Sequence, residues 1–157
     1  MEEIQLAKVL FHETVCLDVE SFEDKQAMFD YLSDRFLKAN VITSKEKYIE
    51  ALYEREQLGS TYMGNHIALP HGKSDTVVQP GICFCRCKQS FTYQSSDEIG
   101  QVKLIFMLAI PQGQPAENYL QTLAALARLL MHEKFIEALY QIQDYQGLTT
   151  LISEYQM

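Results

Sequence analysis

A chain of 157 residues with 47% apolar residues and a formal net charge of −8 is sized for one domain, and about two thirds of its unfolded surface can be buried on folding. That charge argues against a nucleic-acid or anionic-membrane role, since neutralising phosphates takes a basic face. No apolar run approaches the roughly 18 residues that would span a bilayer, and the N-terminal Met1, Glu2, Glu3 carry acid where a secretory leader carries base.

Residues 4–11 are expected to open the chain as a short helix, with Thr14–Val19 as a strand. Ser21 is expected to cap a helix from about Phe22 to Ala39, with Glu23 and Asp24 in its first turn, where the dipole favours acid. Ala27, Met28, Tyr31, Leu32 and Phe36 then share one stripe that should face the core. Thr43 and Glu46 have capping-box spacing, and the helix they open should run to Leu58 and stop at Gly59. Its inward stripe is Tyr48, Ala51, Leu52 and then Arg55. A guanidinium buried unpaired costs several kcal/mol. Arg55 must therefore meet an anion, pair with a carboxylate such as Glu56, or reach solvent at the helix end.

The apolar run Ile67–Leu69 ends at Pro70, which cannot donate to a ladder, so the chain is expected to turn there. His71 follows on this stiff support, and Gly72, lacking a Cβ, would let backbone and ligand approach the imidazole. Taken alone, Pro70-His71-Gly72 also fits an ordinary loop histidine, because turns collect such residues. Lys73–Pro80 reads as polar and turn-rich, Gly81–Lys88 as a strand, and the residues through Ser95 to Gly100 as a loop.

Cys83, Cys85 and Cys87 alternate along that strand, so they share a face at about 6.6 Å spacing. That is too far for thiolates on one zinc, with Zn–S bonds of about 2.3 Å. Small apolar packing against a helix, with the thiols reduced as in a cytoplasmic protein, is the expectation. Val102–Ile110, the most continuous apolar run, should be a central strand covered on both faces. Pro115 opens a helix with Leu120, Leu123, Ala124, Ala127 and Leu130 inward. Short helices over Glu133–Gln141 and Gln146–Tyr155, the latter weakened at Gly147, complete the chain. The elements lack a simple βαβ alternation, so the fold class is α/β: a single three-layer domain with a mixed parallel and antiparallel sheet and helices on both faces.

The stretch Arg55-Glu56, Gly59-Ser60-Thr61, Met63-Gly64 and Ile67-Ala68-Leu69-Pro70-His71-Gly72 resembles the active-site signature of the mannitol/fructose-type enzyme IIA domains of the bacterial phosphoenolpyruvate-dependent sugar phosphotransferase system. Length and segment order fit as well, so the resemblance covers nearly the whole chain. It implies that His71 accepts a phosphoryl group on Nε2 from phospho-HPr and passes it to a cysteine of an enzyme IIB domain, which serves a membrane enzyme IIC. It also implies that Arg55 steadies the phosphohistidine. Ser60 and Thr61 hydroxyls and backbone N–H groups near Gly72 are candidate phosphoryl ligands, although Thr61 would equally bond its own turn. No metal, nucleotide or other cofactor is implied, and the location would be cytoplasmic.

The chain departs from the family pattern in two places. Many members carry a second histidine where Glu117-Asn118-Tyr119-Leu120 stands here. Tyr119 takes its place, and a phenol can donate a hydrogen bond but is no base near neutral pH. His66 stands where many members have a small residue, either serving the site or lying on the strand's outer side. His12 and His132 have no motif around them. A regulatory relative, signalling through its phosphorylation state, would keep the same residues. A metal hydrolase using His66 and His71 is disfavoured, because Pro70 breaks any helical His pair.

Overall fold

In the computed structural model, which describes residues 5–95 and 98–156, a six-stranded mixed sheet lies between two helical layers. A 3-10 turn, Leu6–Val9, leads into β1 (Leu10–Val19), and the helices α1 (Lys25–Lys38) and α2 (Lys45–Glu56) follow. The short strands β2 (Tyr62–Gly64), β3 (Ile67–Ala68) and β4 (His71–Ser74) precede the long hairpin of β5 (Gly81–Gln94) and β6 (Ile99–Pro111). The chain ends in α3 (Ala116–Leu129), α4 (Glu133–Leu139) and α5 (Tyr145–Gln156). The sheet order is β1-β5-β6-β3-β2, with β4 also on β6. β1 on β5 and β3 and β4 on β6 are parallel pairs, and β5–β6 and β2–β3 are antiparallel.

The core has two halves, one on each face of the sheet. Met28, Phe29, Leu32 and Phe36 of α1 and Tyr48 and Leu52 of α2 pack on one face with Cys83, Cys85, Ile105 and Met107. Leu126 and Leu129 of α3, Phe135 of α4 and Leu148 and Ile152 of α5 pack on the other with Phe84, Phe106 and Leu108. β5 and β6 are thus buried on both sides along their middles, as continuous apolar runs require. All four cysteines are free and buried, in the same half of the core as α1.

Several expectations shift. The opening helix shrinks to the 3-10 turn, and Leu10 and Phe11 already belong to β1; residue 4 lies outside the described residues. Helix α1 begins at Lys25 because Asp24, not Ser21, is its N-cap, with its carboxylate accepting from Ala27 N. Tyr31 is 43% exposed and Phe29 takes the inward place, since a phenol that stays at the surface keeps its hydroxyl in water. Helix α2 is capped by Ser44 Oγ, which accepts from Lys47 N, while Thr43 is engaged with Thr76. Much of the expected loop before Gly100 is instead the outer arm of the β5–β6 hairpin, where Phe91 and Tyr93 are buried and Thr92 and Gln94 exposed.

Helix α3 buries only part of its expected stripe. Leu130 is buried and Leu123 packs half-buried against the core as expected, but the other buried contacts are Ala125, Leu126 and Leu129, whereas Leu120 is 54% exposed and Ala124 is also outside. Apolar residues cover more than half of this helix, so two stripes compete, and the one that reaches Phe106 and Leu108 is buried. At the other end of the chain, Gly147 sits in the first turn of α5, where its N–H meets Asp144 Oδ1 at 2.7 Å.

The chain does not turn at Pro70. Ile67–Ala68 and His71–Ser74 lie end to end along the same edge of β6, and the Pro70 carbonyl still accepts from Leu108 N at 3.0 Å. Proline here interrupts the ladder by one donor without changing its direction. The reversal comes earlier, at Asn65 and His66 between β2 and β3, where φ values of 54° and 65° give a two-residue turn of the type that matches strand twist.

Gly72 sits directly beneath α2: a Cβ there would lie 3.1 Å from Leu52 N and 3.2 Å from Ala51 Cβ. Its missing side chain therefore admits a helix backbone and not a ligand. Gly72→Ala should cost about 1–3 kcal/mol of stability through overpacking, measured by urea unfolding, because helix backbone cannot yield as a flexible side chain can.

Candidate functional site

Helix α2 and strand β4 meet where Gly72 allows close contact, and each ends in a polar residue at that junction. Arg55 is in the last turn of α2 and His71 is the first residue of β4. Arg55 Nε lies 3.1 Å from His71 Nε2, and Arg55 Nη1 donates to the Gly59 carbonyl at 2.9 Å. On the other side of the ring, His71 Nδ1 lies 3.0 Å from the Leu69 carbonyl. A carbonyl only accepts and a guanidinium only donates. The proton is therefore on Nδ1, and the lone pair of Nε2 faces Arg55 and the cleft.

Charge agrees with this tautomer. His71 is held below its ordinary pKa, chiefly by burial, with Arg55 adding to the effect, while the Leu69 carbonyl and the charge of Glu56 oppose it. The imidazole is thus neutral near neutral pH, as a nucleophile must be.

His71 and Arg55 open onto a cleft of ≈ 430 Å³, which Lys73, Glu54 and Tyr119 also line, with an apolar wall of Ala51, Leu58, Ile110, Leu120 and Leu123. Tyr119 joins the site from α3, and Lys73 Nζ sits 5.2 Å from its ring centroid and donates to the Gln114 carbonyl at 3.2 Å. The exposed stripe of α3 thus forms a wall of the cleft. Leu58, 83% exposed, stands on its rim.

The other candidates are placed elsewhere. His66 is exposed in the β2–β3 turn with its Nδ1 3.0 Å from the Gln101 carbonyl, and it does not line the cleft. Thr61 is buried, and its hydroxyl donates to Glu56 Oε2 and lies 2.6 Å from the Tyr93 hydroxyl. Ser60 Oγ accepts from Tyr62 N at 3.1 Å and lies 3.1 Å from Ser95 Oγ. Gly72 contacts α2, as described above.

Glu56 is the residue that sequence reading passed over, having been weighed only as a partner for Arg55. It is 5% exposed and forms an ion pair with Lys25 at 3.1 Å. Ser95 Oγ and Tyr93 OH, each 3.2 Å away, and Thr61 complete its surroundings. Tyr93 is pushed far above the ordinary phenol range, first by burial and then by the neighbouring Glu56 charge, so it remains a donor. One signal was available: Tyr48, Leu52 and Glu56 are four apart on the inward stripe. The carboxylate also sits at a helix C-terminus, where the dipole disfavours acid, so partners elsewhere had to compensate.

Comparison with known proteins gives the family of the chain. Residues 8–155 match the family model described as "Phosphoenolpyruvate-dependent sugar phosphotransferase system, EIIA 2". The fructose-specific EIIA component of Haloferax volcanii is 32% identical over 83% of this chain and 83% of its own length. The fructose-specific EIIABC component of Bacillus subtilis (strain 168) is 32% identical over 97% of this chain, which spans only 24% of that longer protein. Among solved structures, nitrogen regulatory protein IIA-Ntr from Neisseria meningitidis superposes with a TM-score of 0.81 at 25% identity, covering 93% of this chain and 97% of that one. The fold also matches enzyme IIAMTL in its Escherichia coli complex with phosphorylated enzyme IIBMTL, with a TM-score of 0.72 at 22% identity and coverage of 92% and 96%. The chain belongs to the EIIA type 2 family of the sugar phosphotransferase system.

Arg55→Ala should raise the His71 pKa towards the ordinary histidine value of 6.5, followed by NMR titration of the imidazole carbon-bound protons. The linkage has a definite sign: a histidine whose native pKa lies below its unfolded value leaves stability flat above about pH 6.5 and lowers it as pH falls further. Arg55→Ala should weaken that acid loss.

Proposed function

We propose that this EIIA-family chain is a phosphocarrier in which His71 Nε2 accepts a phosphoryl group from phospho-HPr and yields it to a cysteine of an enzyme IIB domain. The observation that carries the reading is the lone pair of a neutral, half-buried imidazole beside a permanent cation at the mouth of an open cleft.

The geometry supports this reading. Nε2 attacks phosphorus as the bond from phosphorus to its donor atom on phospho-HPr breaks, the electron pair staying with that donor. The His71 ring is left positively charged, and the Leu69 carbonyl already accepts the Nδ1 proton that carries this charge. Arg55 Nε occupies the lone pair at rest and must move aside as phosphorus approaches. Its Nη1 anchor on Gly59 keeps the guanidinium near, ready to turn its fork onto the phosphoryl oxygens. Tyr119 from α3 and Lys73 from β4 bring a hydroxyl and an ammonium to the same cleft.

The bond to phosphorus must be passed on and not lost to water. An apolar rim of Leu58, Leu120 and Leu123 suits a partner that seals the cleft during transfer. Donor and acceptor would use this one opening and so exclude each other. No metal or nucleotide enters the scheme. The cytoplasm is the expected location, and no helix among the described residues is long and apolar enough to cross a membrane.

A regulatory role is the second reading, favoured by the likeness to the Neisseria nitrogen regulatory protein. It uses the same chemistry and differs in what receives the signal.

Incubation with phosphoenolpyruvate, enzyme I and HPr should add one phosphoryl group to His71, seen by mass spectrometry under mild alkaline conditions, and His71→Gln should abolish it without unfolding the protein. Full labelling of that variant would remove the assignment. Arg55→Ala should slow transfer roughly ten- to a hundredfold, as expected for losing a charge-assisted hydrogen bond of about 1.5–3 kcal/mol. Phosphoryl flow onto an added IIB domain separates transport from signalling.

A further inference from the structure

The Glu56 carboxylate bonds to neither the His71 nor the Arg55 side chain, yet both are tied to it through the backbone. The tie begins at Thr61, whose hydroxyl donates to the Glu56 carboxylate and whose carbonyl accepts from Leu69 N at 3.0 Å. Leu69 in turn offers its carbonyl to His71 Nδ1 at 3.0 Å. The same carboxylate closes the turn that follows α2. Ser95 bridges it to Ser60, and the Gly59 carbonyl, one residue earlier, accepts from Arg55 Nη1. Gly59 has φ +147°, a conformation that orients this carbonyl and that a side chain would resist.

We propose that Glu56 and Thr61 are positioning residues for the phosphoryl-transfer site, holding the two backbone carbonyls that set the His71 tautomer and the Arg55 orientation. The proposal rests on the phosphocarrier reading and goes beyond it, since it gives Thr61 a place behind the ring instead of on the phosphoryl group. The structure favours that place. Thr61 is 6% exposed, and its single proton is committed to a carboxylate, which repels an incoming phosphoryl group. Lys25 is needed because the carboxylate would otherwise be a buried charge with no ionic partner, and its ammonium also lies 4.9 Å from the Tyr93 ring centroid. The set is built from three separate parts of the chain: α1 through Lys25, the segment 56–61, and the tip of the β5–β6 hairpin through Tyr93 and Ser95.

A role behind the ring and a role on the phosphoryl group predict different things for Thr61→Val. Loss of a direct ligand would leave the resting imidazole unchanged. Loss of a positioning residue changes the ring before any phosphate arrives. Nitrogen-15 NMR of unphosphorylated His71 should show the Nδ1–H tautomer in the wild type and a mixture of tautomers in Thr61→Val. The maximal transfer rate should fall about tenfold, with the concentration of phospho-HPr giving half-maximal rate unchanged, and Thr61→Ser should restore both. Glu56→Gln, which keeps the side chain's size and an acceptor oxygen but breaks the ion pair with Lys25, should give the same tautomer mixture, and it decides the matter if Thr61→Val does not fold. A wild-type tautomer signature in the folded Val variant, or in Glu56→Gln where Val does not fold, would overturn the proposal. The two readings fail separately: a wild-type protein that phospho-HPr cannot label refutes the carrier function, whereas the tautomer measurement needs no donor.

Discussion

The hydrogen bond from Arg55 Nε to His71 Nε2 is the interaction on which the rest of the structure depends. A guanidinium never loses its proton at ordinary pH, so it can bond that nitrogen only while the nitrogen is unprotonated. One contact therefore sets the charge of the ring and, with the Leu69 carbonyl opposite, its tautomer and direction. It also places a cation where a phosphoryl group would bring negative charge. The contact requires α2 and β4 to lie unusually close, which is why a glycine follows the histidine. It also requires the end of α2 to be held, which is the task of the polar cluster around Glu56.

Burying that cluster is costly unless it is complete. Glu56 and Lys25 are both withdrawn from water, and an ion pair in such a place gains little over its desolvation unless the remaining lone pairs are used. Here Thr61, Tyr93 and Ser95 use them. Among the described residues, the buried side-chain polar atom left without a partner is Ser33 Oγ, far along α1 from this cluster. The completed set ties one helix, one turn and one hairpin tip together, and it confers geometry more than net stability.

The layered mixed sheet was legible in the sequence because it depends on local pattern. His71 and Arg55 were instead singled out by the family resemblance, since pattern alone equally fitted a loop histidine and an arginine paired with a carboxylate or reaching solvent. Arg55 stands on the extension of an apolar stripe, and the run Val102–Ile110 is too continuous for anything but a strand buried on both faces. What could not be read depends on long-range pairing. Tyr93 and Ser95 belong to an outer hairpin arm whose alternation, Phe91 and Tyr93 in and Thr92 and Gln94 out, is short and interrupted by polar residues. Missing that arm meant missing the partners of Glu56, and so the purpose of Thr61. Helix α3 was partly misjudged for a different reason: its apolar surface is too wide for periodicity to choose a face. Leu120, expected inward, is instead exposed at the cleft that His71 also lines.

On the phosphocarrier reading, that surplus apolar surface bears on how one histidine could serve two partners. A donor and an acceptor would both need Nε2, so the opening would have to admit either. It is ringed by side chains that lose water readily, Leu58 and Leu120 foremost. Such a rim rewards any partner of matching shape that excludes water, whereas the polar side chains within the cleft would act on the phosphoryl group common to both. On the phosphocarrier reading, recognition and chemistry are thereby divided between the rim and the floor of one opening. A substitution on the rim should alter how readily a partner docks and leave the reactivity of His71 untouched, because the hydrogen bonds that set the ring run behind it, through Leu69 and Thr61 to Glu56.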